Sequence, residues 1–353
     1  MASQYYLSVH LIVFLAITLH AYAAFSLAVP PSVASRQASE SNVWTQHDLI
    51  GQGPRQEHSV TALGSNVYVL GGVAYNNNNN LETLNRVEFY SIADDTWHVA
   101  APMPGQYNHL NVAGVGENLY FLGALSGGLN WTAVGKSHVY HSSNDSWTDL
   151  TSTPPGTARG SCAVGVHQGL IYLAGGMTYL DVIEGGQDSV RSVTSYNTVT
   201  DTWTTDLPPL PDPRQHVGGA VVDSTFYVIG GRENGIEQYH NTTYALDLDE
   251  PSAGWRKLAP MPTARGGLTC SAVNTRIYCF GGEGNPDNAA RIFAEVEVFD
   301  TVSGEWESLP PMPVPRHGTG SVAVDGRVWI PGGGLVTAAY PSGWFDSFEP
   351  FES

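Results

Sequence analysis

Arg55, Arg159, Arg214, Arg265 and Arg316, with Tyr107 in the place of a sixth, recur at intervals of 51 to 55 residues. Each stands 16 residues ahead of a pair of small residues, and His58, His109, His216 and His317 follow close behind. Side chains that recur in this way are expected at one level of a repeated structure, so five of the 15 basic residues would ring a single mouth. Guanidinium groups present paired donors in a fixed fork, which suits a carboxylate, an enolate or a polarised carbonyl. On this reading Arg214, His216, His109 and Tyr107 are the candidate catalytic groups. Arg55, Arg159, Arg265, Arg316, His58 and His317 are candidates for holding substrate. The repetition also has a purely architectural explanation, because an Arg present in every unit can bond the backbone carbonyls of its neighbours. The departures from the repeat, Tyr107 and the unevenly placed histidines, therefore bear more on function than the arginines do.

Aromatic residues between the repeated segments supply the other half of a pocket. Tyr75, Trp131, Tyr179, Tyr239, Phe293, Tyr340 and Trp344 fall in connections expected at the same mouth. Such side chains can wall an apolar pocket or simply seal a channel, and Trp131, Tyr179, Tyr239 and Trp344 are the candidates for apolar substrate contacts. No phosphate-cradling GxxxxGK[ST], no dinucleotide glycine fingerprint and no HExxH are present, so no cofactor is expected. No ligand spacing marks a dedicated metal site either.

The elements that would position these groups follow from the repeat. An apolar run ending in two small residues recurs as YVLGG, YFLGA, YLAGG, YVIGG, YCFGG and WIPGG, at Gly71, Gly123, Gly175, Gly230, Gly281 and Gly332. Trp97, Trp147, Trp203, Trp255 and Trp306 follow the first five pairs by 24 to 28 residues, and the sixth pair has no such partner. Trp44 stands upstream of the first pair instead. Short apolar runs between glycine- and proline-rich turns read as strands, and a period near 50 residues reads as a ring of stacked sheets.

These motifs closely resemble the kelch repeat family over about residues 44–349. The resemblance implies an all-β, six-bladed β-propeller with four strands per blade. Val43 to Ile50 is then expected to form the outermost strand of the sixth blade, clasping the two ends of the ring together. Cys270 and Cys279 are equidistant from the turn at Asn274-Thr275, which would place them opposite each other in a non-hydrogen-bonded pair. A disulfide between them is expected, with two buried thiols as the alternative. Cys162 is left over as a small buried hydrophobe.

Residues 1–23 read as a signal peptide, with an apolar run from Leu7 to Leu19 and a small-x-small site at Ala21-Tyr22-Ala23. Residues 24–41 read as a flexible lead-in and 42–353 as the propeller. Sequons at Asn130, Asn144 and Asn241 agree with a secreted or secretory-lumen protein carrying glycans. After signal cleavage no stable membrane insertion is expected. A net charge of -18 argues against nucleic acid as a partner.

Small secreted propellers of this type resemble cofactor-free sugar epimerases and mutarotases, and fungal natural-product proteins that include hetero-Diels-Alderases. A cofactor-independent pocket enzyme that cyclises, isomerises or couples a small organic substrate is the first expectation. A non-catalytic binder of glycan or protein is the alternative, and a sugar epimerase or mutarotase is the second. No BTB or F-box segment is recognisable, so a role in ubiquitination is not expected.

Overall fold

A computed structural model describes residues 43–350. The signal peptide and lead-in expected before Asn42 lie outside the described residues. Six antiparallel sheets, each built on four strands, are arranged as blades. Their innermost strands are Ser59–Leu63, Val112–Val115, Ala163–His167, Gly218–Val222, Thr269–Val273 and Val322–Val324. Each packs on the next around the axis, and the last packs on the first, so the ring is closed. Closure buries the blade faces that the ends of an open array would expose, leaving only short strand edges.

The sixth blade is completed from the other end of the chain. Trp44–Gln46 pairs antiparallel with Phe345–Phe348, in the register Trp44 to Phe348. Trp44 itself is buried against Phe280 and Phe348. The repeated tryptophans serve a related purpose one blade at a time. The indole N–H of Trp147, Trp203, Trp255 and Trp306 donates to the carbonyl of Ala101, Thr151, Pro208 and Ala259 respectively, in each case in the preceding blade.

The glycine pairs sit where blades touch. A Cβ on Gly71 would lie 2.5 Å from the Tyr107 carbonyl, and one on Gly72 would lie 2.5 Å from the Gln56 carbonyl. Both glycines also have positive φ, 61° and 93°. Close approach and left-handed backbone together explain why small residues recur there. Cys270 pairs with Cys279 across the two-residue turn, and the two are joined by a disulfide with Cα atoms 4.2 Å apart. Cys162 is a free thiol whose pKa burial raises.

Candidate functional site

The arginines do not form an open ring of donors. Arg55, Arg159, Arg214, Arg265 and Arg316 are at most 3% exposed, and each is consumed within its own blade. Arg55, Arg265 and Arg316 form ion pairs with Glu88, Glu297 and Asp346 on the third strands of their blades. Arg159 donates to the carbonyls of Gly175 and Leu173 and to Thr194 Oγ1. Arg214 donates to Gly230 O, Thr242 Oγ1 and Asp212, and its guanidinium lies 4.8 Å from the centre of the Tyr244 ring. Glu88, Thr194, Tyr244, Glu297 and Asp346 share one register on the third strand, and blade two places His138 there.

Tyr107 is explained by that sixth position. Its ring is buried between Phe121 at 4.6 Å and His138 at 6.4 Å, so Tyr and His replace Arg and its partner together. The structure therefore corrects the expected roles of all six residues: they staple the blades internally and do not converge on a common cavity.

Two positions further along the chain the picture reverses. Glu57, His109, Ser161, His216, Gly267 and Gly318 share one register at the head of the innermost strands, and all six have φ between 52° and 62°. Their backbones form a circle of hydrogen bonds around the axis. Glu57 N–H donates to Gly318 O, His109 N–H to Glu57 O, Ser161 N–H to His109 O, Gly318 N–H to Gly267 O and Gly267 N–H to His216 O. His216 N–H completes the circle through Ser161 Oγ. Left-handed backbone costs a residue with a Cβ about 1–2 kcal/mol. Glycine answers this need in blades five and six, whereas blades one to four accept the cost and gain polar side chains at the axis. Such strain is commonly found where function demands it.

Three of those side chains meet. His109 Nε2 lies 3.1 Å from Glu57 Oε2 and 3.1 Å from His216 Nε2, which is 3.6 Å from the same carboxylate oxygen. Neighbouring amides fix both rings. Asn108 donates through Nδ2 to Thr83 Oγ1, so its Oδ1 accepts from His109 Nδ1 at 2.7 Å. Gln215 donates through Nε2 to Gln187 Oε1, so its Oε1 accepts from His216 Nδ1. With each Nδ1 carrying its hydrogen, both Nε2 atoms turn a lone pair toward the carboxylate. Three electron-rich atoms at this spacing call for a donor or cation beside them, and Arg232 Nη2 supplies one to His216 Nε2 at 3.2 Å.

A second shared register surrounds this cluster. Val73, Leu125, Met177, Arg232, Glu283 and Gly334 each bridge to the residue just before the axial circle in its own blade. Blades one to three make that wall apolar, with Val73, Leu125 and Met177 in one cluster with Trp131. Blades four and five make it charged: Arg232 and Glu283 form a buried ion pair, with Arg232 Nη2 3.2 Å from His216 Nε2. His317 Nε2 lies 3.8 Å from Glu283.

The charges act on the cluster in opposite senses. Burial would raise the Glu57 carboxyl, but the charge and hydrogen bond of His109, and then His216, hold it well below the usual carboxylate range. Burial and then Arg232 push His216 down to about 4, against the pull of Glu57. At neutral pH His216 is therefore neutral, and His109 Nε2 lies against the Glu57 carboxylate at 3.1 Å.

The cluster heads a cavity of about 410 Å³ along the axis. Below it the wall is made of small residues such as Val60, Thr61, Ala113, Val164, Ala220 and Ser271. Among the described lining residues the ionisable ones are Glu57, His58, His109, His216 and the Cys162 thiol.

The remaining expected site residues are distributed unevenly. Trp131 is buried with its ring 5.6 Å from His109, on a strand, Asn130–His141, rather than on a loop; its indole N–H has no hydrogen-bond partner among the described residues. Tyr239 is half-buried beside Gly284, and its hydroxyl also has none among them. His58 spans blades one and six, bonding Pro331 O and Thr319 Oγ1. Tyr179 is 44% exposed and Trp344 half-buried, and neither joins the axial cluster. Asn130 and Asn144 are exposed and Asn241 half-buried. Glu57, Ser161, Arg232 and Glu283 escaped the sequence reading. The signal was present in the aligned repeats, as a carboxylate level with two histidines and as charges at a position otherwise Val, Leu, Met or Gly.

One consequence is acid sensitivity. Burial and then Arg55 push His58 down to about 3. His58 and His216 would titrate near 6.5 in the unfolded chain, so that state takes up protons first. Their contribution is complete above pH 6.5 and is lost as pH falls toward 4 and 3. Denaturant titrations at pH 7 and pH 4.5 should show a loss on the order of several kcal/mol, and His58→Gln should flatten the slope. An unchanged midpoint between these pH values would contradict neutral burial of the two rings.

Comparison with known proteins agrees with this architecture. Residues 182–344 match the KLHDC2/KLHL20/DRC7 Kelch-repeats domain, and residues 54–104 match the Kelch motif. The Kelch-like protein terF of Aspergillus terreus is 38% identical over 300 residues, which cover 84% of this chain and 65% of that protein. Human Kelch-like protein 23 is 27% identical over 80% of this chain and 47% of its own length. Beta-scruin of Limulus polyphemus is 24% identical over 77% of this chain and 29% of its own. This chain thus spans about two thirds of the Aspergillus protein and about half of the human one. Six blades with a repeated glycine pair and tryptophan, matched along most of their length, make the chain a kelch-repeat β-propeller.

Proposed function

We propose that the chain is a secreted enzyme that acts on a small organic substrate in the axial cavity. It moves a proton at a carbon beside a carbonyl and so isomerises, cyclises or couples that substrate without an organic cofactor. The observation that carries this reading is the pair of imidazoles set beside opposite charges at the head of a small-residue cavity. Pairs of titratable groups driven apart by their surroundings mark acid and base roles. His216, neutral and held in one tautomer by Gln215, accepts the carbon-bound proton at Nε2. His109, held against Glu57 at 3.1 Å, serves as the acid toward the carbonyl oxygen as charge develops there. The small residues below the cluster, among them Val60, Ala113, Val164 and Ala220, hold the apolar part of the substrate.

The experiment follows proton transfer directly. A panel of enolisable ketones and 1,3-diketones is incubated with the protein in D2O, and deuterium uptake at the α-carbon is read by NMR. Catalysed exchange supports the proposal, and exchange at the buffer rate across the panel would overturn it.

A second reading is favoured by a separate observation. Tyr75, Leu129, Tyr179, Ile183, Ile236 and Tyr340 are exposed in the connections between second and third strands, at 40–59% of their surface. Apolar side chains from several blades on one face suit a partner. On this reading the propeller binds a glycan or protein there without catalysis. The absence of α-exchange together with retention on a glycan array would favour it.

A further inference from the structure

We propose that Glu57, His109 and His216 form a binding site for a divalent first-row metal ion, with zinc(II) as the working probe. This goes beyond the proton-transfer reading, although both concern the same three side chains. Glu57 Oε2, His109 Nε2 and His216 Nε2 are separated by 3.1, 3.1 and 3.6 Å. Ligands bound at 2.0–2.1 Å to one ion lie about 3.0–3.4 Å apart, the lower value for octahedral and the upper for tetrahedral angles. Two of the three separations therefore stand at coordination spacing already, and the 3.6 Å between Glu57 Oε2 and His216 Nε2 must close slightly around an ion.

Three further features fit a metal. Both imidazoles donate Nδ1–H to an amide oxygen whose orientation is itself fixed, by Thr83 behind Asn108 and by Gln187 behind Gln215. This outer arrangement sets the tautomer a metal needs and strengthens the ligand nitrogen. Two nitrogens and one carboxylate oxygen, with the rest of the sphere open, form a donor set suited to zinc or iron(II). All three residues line the axial cavity, through which a further ligand could reach the ion. Arg232 Nη2 donates to His216 Nε2 at 3.2 Å, so an ion must displace that bond, and the guanidinium charge is offset by the ion pair with Glu283. An ion held here would take a carbonyl or enolate oxygen entering from the cavity. No sequence motif announces the site because its ligands come from blades one, two and four, brought together by register alone.

The competing occupant is a proton, and binding tests separate the two. The full chain is stripped with a chelator, dialysed and titrated with zinc(II) by calorimetry in buffers of different ionisation enthalpy; cobalt(II) replaces zinc for visible spectroscopy. The expected result is one ion per chain with proton release, and cobalt d–d bands that zinc abolishes. Asn108→Ala should weaken binding about 10–100-fold, and Glu57→Gln and His109→Ala should weaken it further. His98→Gln, on an exposed outer strand, should leave it unchanged. Thermal unfolding of each variant confirms folding, and Asn108→Ala keeps the test decisive if His109→Ala does not fold. Absence of stoichiometric binding, or binding unaltered by all three variants, would overturn the site. Failure here with α-exchange retained removes the metal and leaves the proton-transfer reading standing. Metal binding without α-exchange does the reverse.

Discussion

Replacing Arg265 by alanine should lower the unfolding free energy by about 3–5 kcal/mol, measured by urea denaturation at neutral pH. The reason is the company that Arg265 keeps. Its guanidinium is fully buried and paired with Glu297, which is 1% exposed. Truncation leaves a carboxylate without its partner in the interior, and the penalty is mostly that of the stranded charge rather than the value of the pair. The double change Arg265→Met with Glu297→Leu should therefore recover most of the loss, because a buried pair is often replaceable by apolar groups of matching volume. A single variant that stays fully stable while ligand binding fails would show instead that the guanidinium serves the site. The same reasoning applies to Arg316 with Asp346.

Glu57→Gln should slow α-deuterium exchange by about 10²–10⁴-fold relative to the unaltered chain. Glutamine keeps the shape and can occupy the same left-handed backbone, at φ near 54°. It lacks the negative charge that faces His109 Nε2 at 3.1 Å. His216→Ala should give a loss of similar size through the other half of the transfer. Urea midpoints close to that of the parent would show that Glu57→Gln acts on chemistry and not on folding. A variant that exchanges at the parental rate would place the proton transfer elsewhere.

The fold was legible because its causes repeat. The first glycine of a pair is needed where one blade meets a carbonyl of the next, the second where the chain enters its own blade, and a tryptophan wherever an outer strand bonds the blade before it. Six copies of each requirement leave a periodic trace, and the displaced Trp44 reveals the clasp for the same reason. The disulfide was legible from one hairpin, since a two-residue turn fixes which residues stand opposite.

The site was less legible because repetition draws attention to architecture. Arg55, Arg159, Arg214, Arg265 and Arg316 recur because every blade needs a staple between its first and third strands, which also explains why Tyr107 is matched by His138. Function lies in what differs between blades at a shared position. Glu57, His109 and His216 share a backbone conformation that glycine fills in blades five and six. His58 and His317 stand one residue away on either side of that register and point into other bonds, to Pro331 and Gly334. A one-residue offset separates an axial side chain from a blade contact, and spacing alone does not weigh that difference.

The most direct measurement is the position of a bound 1,3-diketone in a crystal of the protein. The account predicts its oxygens within hydrogen-bond or coordination reach of Glu57, His109 and His216, with the carbon body lying along the small residues of the axial cavity. A diketone seated only among Tyr75, Tyr179 and Tyr340, with the axial residues uncontacted, would contradict it.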